Sequence, residues 1–135
     1  MRIVFDTNVL IAAVVASGVC RDLLEYCAEN HELVTSDHIL GELREKLERK
    51  FRLTQDVVDG VLASFEARMR LVRPEPLDPP ACRDPDDDWV LATALAGECD
   101  CVVTGDADLL DLNEHAGIRI LRPRAFLDLE VASEG

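Results

Sequence analysis

The segment DPDDDWVLATAL, residues 84–95, places four aspartates at the start of a strongly apolar helical pattern. Asp84 has the chemistry of a helix N-cap, and the proline and the aspartates that follow it suit the positive end of a helix dipole. Asp88 is different, because a period of 3.6 residues places it on a face that we expect to be buried. The other residues of that face are Leu91, Ala92 and Leu95. A buried carboxylate needs a hydrogen-bonding, charged or metal partner, so the rest of the chain must supply one.

Short apolar runs alternate with helical patterns along the chain. Parallel strands need long crossover connections, which are usually helices, so this alternation predicts an α/β fold with a mainly parallel sheet. The length predicts a single domain, residues 1–135, with a frayed tail over about residues 130–135. The expected strands are residues 2–5, 32–35, 71–72, 101–104 and 118–121. The expected helices are residues 6–15, 21–30, 36–50, 54–65, 84–95 and 123–129, and a proline-rich loop spans residues 74–85.

The charge balance constrains the class of partner. The chain has 27 acidic and 14 basic residues and a net charge of −13. This argues against a broad electrostatic grip on nucleic acid, unless several acids form one site whose charge a bound divalent cation reverses. Five basic residues fall within residues 44–52. They suit a solvated helix face with i, i+4 pairs between Glu42 and Lys46 and between Glu45 and Arg49, and a patch contacting phosphate or a partner is the alternative.

No apolar stretch is long enough to span a membrane and no signal-peptide pattern is present, which predicts a cytoplasmic protein without a membrane anchor. The five cysteines form no CxxC motif, so we expect buried free thiols rather than zinc ligands or disulfides. The three histidines are scattered, and each is expected to be a surface or structural residue. They are His31, His38 and His115.

Two further aspartates follow predicted strands. Asp6 comes directly after RIVF, and Asp106 follows CVVTG. The carboxyl ends of parallel strands meet at one edge of a sheet, where α/β proteins place their sites, so Asp6, Asp88 and Asp106 are expected to converge. Grouped carboxylates without thiolate or imidazole ligands favour Mg²⁺ or Mn²⁺. This predicts metal-assisted phosphodiester hydrolysis. Taken singly, Asp6 is equally explained as a strand-end cap and Asp106 as a turn former.

Four segments occur in the order and spacing of a known family. The segments DTNVL, TSDHILGEL, DPDDDWVLATAL and VVTGDADLL resemble those of PIN-domain ribonucleases, particularly VapC-like toxins and related toxin–antitoxin PIN proteins. The resemblance runs from Met1 to about Leu121. It implies a three-layer α/β/α sandwich with a parallel central sheet, a Mg²⁺ or Mn²⁺ site, and endonucleolytic cleavage of RNA that leaves a 5′-phosphate and a 3′-hydroxyl.

The resemblance also implies roles for individual residues. The first family acid falls on Asp6, the second on Glu42 and the fourth on Asp106, all as catalytic and metal-binding residues. The third falls in the run of three aspartates, where matching the following apolar triplet favours Asp88 and ungapped matching on ATAL favours Asp87. The resemblance implies that Glu42 orients a ligand water or a second ion. The accessory residues are Asp108, the helix cap Asp84, and the hydrogen-bonding residues Thr7, Asn8 and Thr104.

Several alternatives remain at this level. A haloacid-dehalogenase-type phosphatase needs a second aspartate two residues after the first, but Asn8 occupies that position. A housekeeping RNA-processing nuclease and a catalytically silent binding module of the same fold are the other two. The expected partners are RNA, a small antitoxin protein and a second copy of the chain. Segment 9–15 and the helix from Arg21 are the expected antitoxin interface.

Overall fold

A computed structural model describes residues 1–134, which form six strands and seven helices. The strands are β1 (Arg2–Phe5), β2 (Glu32–Ser36), β3 (Met69–Val72), β4 (Cys101–Val103), β5 (Glu114–His115) and β6 (Ile118–Leu121). The helices are α1 (Thr7–Val15), α2 (Val19–Asn30), α3 (Asp37–Arg49), α4 (Gln55–Arg68), α5 (Pro85–Ala96), α6 (Ala107–Leu112) and α7 (Pro123–Glu134).

The strands form one sheet in the order β3-β2-β1-β4-β6-β5. Every pair is parallel except β5 with β6. Central strands covered by helices on both faces are apolar at successive positions, as Ile3, Val4, Val102 and Val103 are, each with 0% exposure. The predicted α/β sandwich with a mainly parallel sheet is confirmed.

The topology places a crevice at the carboxyl ends of β1 and β4. The chain leaves β1 towards β2 on one side, whereas β4 pairs with β1 on the other side. Such a switch point is where open α/β sheets bind ligands. The backbone N–H of Asp6 donates to the carbonyl of Val103 at 2.9 Å, so the two strand ends are joined directly beside the crevice.

Some local predictions were incomplete. β5 was not predicted, and the β5–β6 hairpin turns through Ala116 and Gly117, whose φ angles are 51° and 84°. Alanine rarely adopts this left-handed conformation, so the turn has a weak sequence signal. Helix α7 continues to Glu134, beyond the predicted end at about Leu129, and Gly135 of the expected frayed tail lies outside the described residues.

The cysteines are free thiols, as predicted. Cys27, Cys99 and Cys101 are buried, and Cys20 and Cys82 are half-buried. Within residues 1–134 no single helix has the length and apolar character to cross a membrane, although α1 and α2 meet that test as a pair bent by 106°.

Candidate functional site

Acidic side chains from three elements meet at the carboxyl ends of β1 and β4. Asp6 follows β1, Asp87 lies in the first turn of α5, and Asp106 is the N-cap of α6. Asp87, Asp106 and Asp108 each offer a carboxylate oxygen, and these atoms lie within 4.8 Å of one another. Asp6 is close enough for its charge to raise the pKa of Asp87. We call these four residues the acidic pocket.

Asp6 is held in place by its neighbours. Its side chain is only 5% exposed, and its Oδ2 accepts a hydrogen bond of 2.7 Å from the hydroxyl of Thr104. The same hydroxyl oxygen accepts from the backbone N–H of Asp106 at 3.0 Å. Burial raises the pKa of Asp6, while the hydrogen bonds from Thr104 and the backbone of Thr7 lower it. Thr104 therefore orients one pocket carboxylate and the backbone of another.

Asp87 is the least compensated acid of the pocket. It is 7% exposed, and its Oδ2 is buried with no hydrogen-bond partner among the described residues. Burial raises the pKa of Asp87 to about 7, and the negative charges of Asp106, Asp6 and Asp84 add to the effect. An unpartnered buried carboxylate oxygen is costly, and a cation removes that cost. The oxygen-only ligands of the pocket fit Mg²⁺ or Mn²⁺.

The predicted burial of Asp88 in the site is wrong. Asp88 is half-buried, and its Oδ1 accepts hydrogen bonds from the backbone N–H groups of Ala81 at 3.0 Å and Cys82 at 2.8 Å. It therefore fastens the proline-rich loop to α5. Of the predicted face, Leu91 and Ala92 are buried, whereas Leu95 is 38% exposed. The buried residues of α5 are Asp87, Val90, Leu91, Ala92, Thr93 and Ala94.

Two aspartates also cap helices. Asp84 Oδ1 accepts from the backbone N–H of Asp86 at 2.9 Å, as expected for the N-cap of α5. Asp106 Oδ1 accepts from the backbone N–H groups of Asp108 at 2.9 Å and Leu109 at 3.2 Å. One oxygen of Asp106 thus caps α6, which is a structural role of the kind that the sequence left open, and the residue also lines the acidic pocket.

Glu42 belongs to a neighbouring group rather than to the acidic pocket. Its side chain is 17% exposed, and it offers an oxygen within 4.8 Å of ligand atoms of His38 and Asp86. Burial raises the pKa of Glu42, and Lys46 opposes that rise. His38 stacks on Trp89 at 4.9 Å between ring centroids, and its Nε2 lies 3.3 Å from Asp86 Oδ1.

Sequence reasoning did not place His38 and Asp86 beside Glu42. The spacing of four residues between His38 and Glu42 was the available signal for His38, because it places both on one side of α3. The approach of Asp86 depends on how α5 packs against α3, which no local pattern specifies.

Two basic side chains contact the site acids. Lys46 Nζ lies 3.2 Å from Glu42 Oε1 and 3.3 Å from Asn8 Oδ1, and its charge lowers the pKa of Asp6. Arg83 Nη2 lies 2.6 Å from Asp108 Oδ1. Two other bases of residues 44–52 pair with acids outside the pocket, Arg44 with Asp59 at 2.7 Å and Arg49 with Glu45 at 3.4 Å. Both predicted i, i+4 ion pairs of α3 are present.

Comparisons with known proteins agree with this architecture. A family model described as PIN domain matches residues 2–108. No curated protein matches the chain. VapBC2 from Rickettsia felis, bound to a DNA fragment from its promoter, is similar at a TM-score of 0.64 and 15% identity, covering 89% of this chain and 97% of the other.

Two further solved structures share the fold. VapBC-1 from nontypeable Haemophilus influenzae has a TM-score of 0.66 at 15% identity, covering 92% of this chain and 99% of the other. FitAcB from Neisseria gonorrhoeae has a TM-score of 0.56 at 19% identity, covering 90% and 98%. At these identities the likeness concerns the fold.

Proposed function

The chain belongs to the PIN-domain family, and from that premise we propose that it is a divalent-metal-dependent endoribonuclease. We assign Asp6, Asp87 and Asp106 as the residues that hold Mg²⁺ or Mn²⁺, with Asp108 as an accessory acid. The observation that carries the assignment is the buried, unpartnered Oδ2 of Asp87 among carboxylates from two strand ends. Asp87 thereby takes the position for which Asp88 was first favoured.

A divalent ion held there supplies a ligand water of lowered pKa and stabilises charge on phosphoryl and leaving oxygens. The residues of the chain prepare the site for it. The Thr104 hydroxyl fixes the Asp6 carboxylate, and two backbone N–H groups fix one oxygen of Asp106. Glu42, whose pKa burial raises, is assigned to orienting the attacking water. Cleavage would leave a 5′-phosphate and a 3′-hydroxyl.

We assign RNA as the substrate and a toxin–antitoxin pair as the biological setting. The structurally similar VapBC and FitAB proteins are toxin–antitoxin complexes, which supports a small antitoxin partner and a homodimer for this chain. The expected interface needs revision. Most of segment 9–15 is core, because Val9, Leu10, Ile11 and Ala13 are buried. The exposed end of α1 at Val15 and the outer side of α2 remain available.

Two adjacent aspartates provide the test. The purified chain should cleave a fluorescent single-stranded RNA in Mn²⁺ and not in EDTA. Asp87→Asn should lower the rate by at least about a hundredfold, because it removes a carboxylate of the metal site. Asp88→Asn, the matched control, should stay within about threefold, because it alters a loop contact instead. Equal activity of the two variants would exclude this arrangement.

The same assay separates the alternatives. Turnover of RNA with growth arrest on expression in bacteria, relieved by Asp87→Asn, supports a toxin. Turnover without arrest supports a housekeeping nuclease. Mn²⁺ binding without turnover of RNA or DNA supports a silent binding module.

A further inference from the structure

The charge of the acidic pocket creates a problem for any nucleic-acid substrate. The chain has a net charge of −13, and four of its carboxylates lie together in the pocket that a phosphodiester would have to approach. Phosphate contacts supply most of the non-specific affinity in protein–nucleic acid complexes. A chain of this composition therefore needs cations placed beside the pocket rather than spread over its surface.

Lys46 is placed on one side of the pocket. It projects from α3, which follows β2, and its ammonium lies between Glu42 Oε1 at 3.2 Å and Asn8 Oδ1 at 3.3 Å. Asn8 is two residues beyond Asp6, so this contact places the ammonium beside the end of β1. The side chain is 37% exposed, so its ammonium can be approached from solvent.

Arg83 is placed on the other side. It immediately precedes the N-cap of α5 and pairs with Asp108 at the start of α6, the helix that follows β4. Its side chain is 87% exposed. Ion pairs at this exposure contribute little to stability, so exchanging a carboxylate for a phosphate as the partner of Arg83 costs the fold little.

The two cations contact residues that follow different strands. Lys46 contacts Asn8, two residues beyond Asp6 at the end of β1, and Arg83 contacts Asp108, two residues beyond Asp106 after β4. Among residues 1–134, no other lysine or arginine forms an ion pair with an acid of the pocket or with Glu42.

We propose that Lys46 and Arg83 form a phosphate-binding pair that holds a single-stranded RNA backbone on the two sides of the acidic pocket. This inference rests on the proposed nuclease function and names how its site binds substrate. In the free protein, Lys46 is paired with the carboxylate of Glu42 and Arg83 with that of Asp108. In the complex, charge-assisted hydrogen bonds to RNA phosphates replace those contacts.

The test compares Lys46→Gln, Arg83→Gln and the double variant with Arg49→Gln. Arg49 is the matched control, because it is 82% exposed, is paired with a carboxylate and loses the same charge, but lies away from the pocket. The affinity for a fluorescent single-stranded RNA is measured by anisotropy with Ca²⁺ present, between about 50 and 200 mM KCl. Cleavage kinetics are measured in Mn²⁺.

Each single variant should weaken binding roughly tenfold at the lowest salt. The plot of log affinity against log salt should become shallower by about 0.7 for each residue, and by about 1.4 for the double variant. Arg49→Gln should keep the wild-type slope. In cleavage, KM should rise in both single variants, and Lys46→Arg should restore binding to within about threefold.

The proposed phosphate-binding pair would be overturned if both single variants kept the wild-type salt dependence of RNA affinity. It would also be overturned if Arg49→Gln lost as much affinity as they do. An unchanged Mn²⁺ shift of the thermal midpoint in both variants excludes damage to the acidic pocket as the cause. RNA binding with these slopes but without cleavage would overturn the nuclease function and leave the pair standing. If the wild type cleaves RNA but the variants keep its salt dependence of affinity, the nuclease function stands and the phosphate-binding pair is excluded. A wild type that neither binds nor cleaves RNA would exclude both.

Discussion

Acidic residues lie at both ends of the central strands, which we call the amino edge and the carboxyl edge of the sheet, but their partners differ. At the amino edge, Arg2 pairs with Glu32 at 3.5 Å and with Glu98 at 3.4 Å, and its backbone N–H donates to Asp100 at 2.9 Å. At the carboxyl edge, Asp87 is buried with an unpartnered oxygen and a pKa of about 7. Arginine pairing of acids is thus available to this chain. Among residues 1–134, Asp87 forms no ion pair with a lysine or arginine, and its unpartnered oxygen is the feature on which the proposed metal site rests.

The largest expected contrast between the edges is in activity. Asp106→Asn should lower RNA cleavage by at least about a hundredfold, because it alters the acidic pocket. Asp100→Asn removes an acid of the amino edge and should leave cleavage within about twofold. Initial rates on a fluorescent RNA measure both. A comparable loss in the two variants would mean that the edges do not differ in function.

The second contrast is in metal-dependent stability. Saturating Mn²⁺ should raise the thermal midpoint of the wild type by about 5 °C, because an ion that binds only the folded state stabilises it. Asp87→Asn should abolish the shift, whereas Glu32→Gln at the amino edge should retain it. Differential scanning fluorimetry measures all three proteins. A full shift in Asp87→Asn would place the ion elsewhere.

The third contrast is in pH dependence without metal. Burial and neighbouring acids raise the pKa of Asp87 from 3.8 to about 7. Below about pH 3.8, Asp87 is protonated in both the folded and the unfolded chain, so the folded chain does not bear the cost of a buried negative charge. Between the two values the unfolded chain ionises first, so the contribution of Asp87 to stability falls as the pH rises, and it is constant above about pH 7.

Asp87→Asn removes this penalty. In EDTA above pH 7 the variant should be more stable than the wild type by about 1–2 kcal/mol, a value reduced for screening because Asp106 and Asp108 are only half-buried. The difference should shrink towards pH 4. Urea denaturation at several pH values measures it, and a difference independent of pH would argue against a raised pKa.

The smallest effect is expected at the amino edge. Arg2→Gln removes exposed ion pairs with Glu32 and Glu98 and should cost about 0.5 kcal/mol or less. Its Mn²⁺ shift should equal that of the wild type. A loss of several kcal/mol in urea denaturation would show that the amino-edge pairs are structural necessities, which would weaken the contrast between the edges.

The sequence predicts the central strands well because β1 and β4 contain runs of apolar residues and the helices between strands have separate patterns. Asp6 and Asp106 are placed correctly for the same reason, since each follows such a strand. The choice between Asp87 and Asp88 is different. Residues 90–94 are all buried, so α5 is apolar over a wide arc and periodicity cannot select its inward face. Only the packing of α5 against the sheet selects Asp87.

The sequence also does not predict contacts between separate helices and strands. The Glu42–Lys46 pair is predictable because it lies within one helix turn. The contact of Lys46 with Asn8, and that of His38 with Asp86, join residues far apart in the chain. The hydrogen bond from Thr104 to Asp6 also spans 98 residues. Such contacts depend on the relative placement of helices and strands, which composition and spacing do not specify.

The backbone joining β1 to β4 has a consequence for motion. The amide of Asp6 is bonded to Val103, and that of Thr104 is bonded to Leu121, both at 2.9 Å within the central sheet. Amides in such positions exchange with solvent only when a whole domain opens, whereas exposed loop segments such as that around Arg83 open in smaller and more frequent events. We therefore expect the amides of Asp6 and Thr104 to exchange slowly with solvent, and those of the exposed residues 83 and 84 beside them to exchange faster.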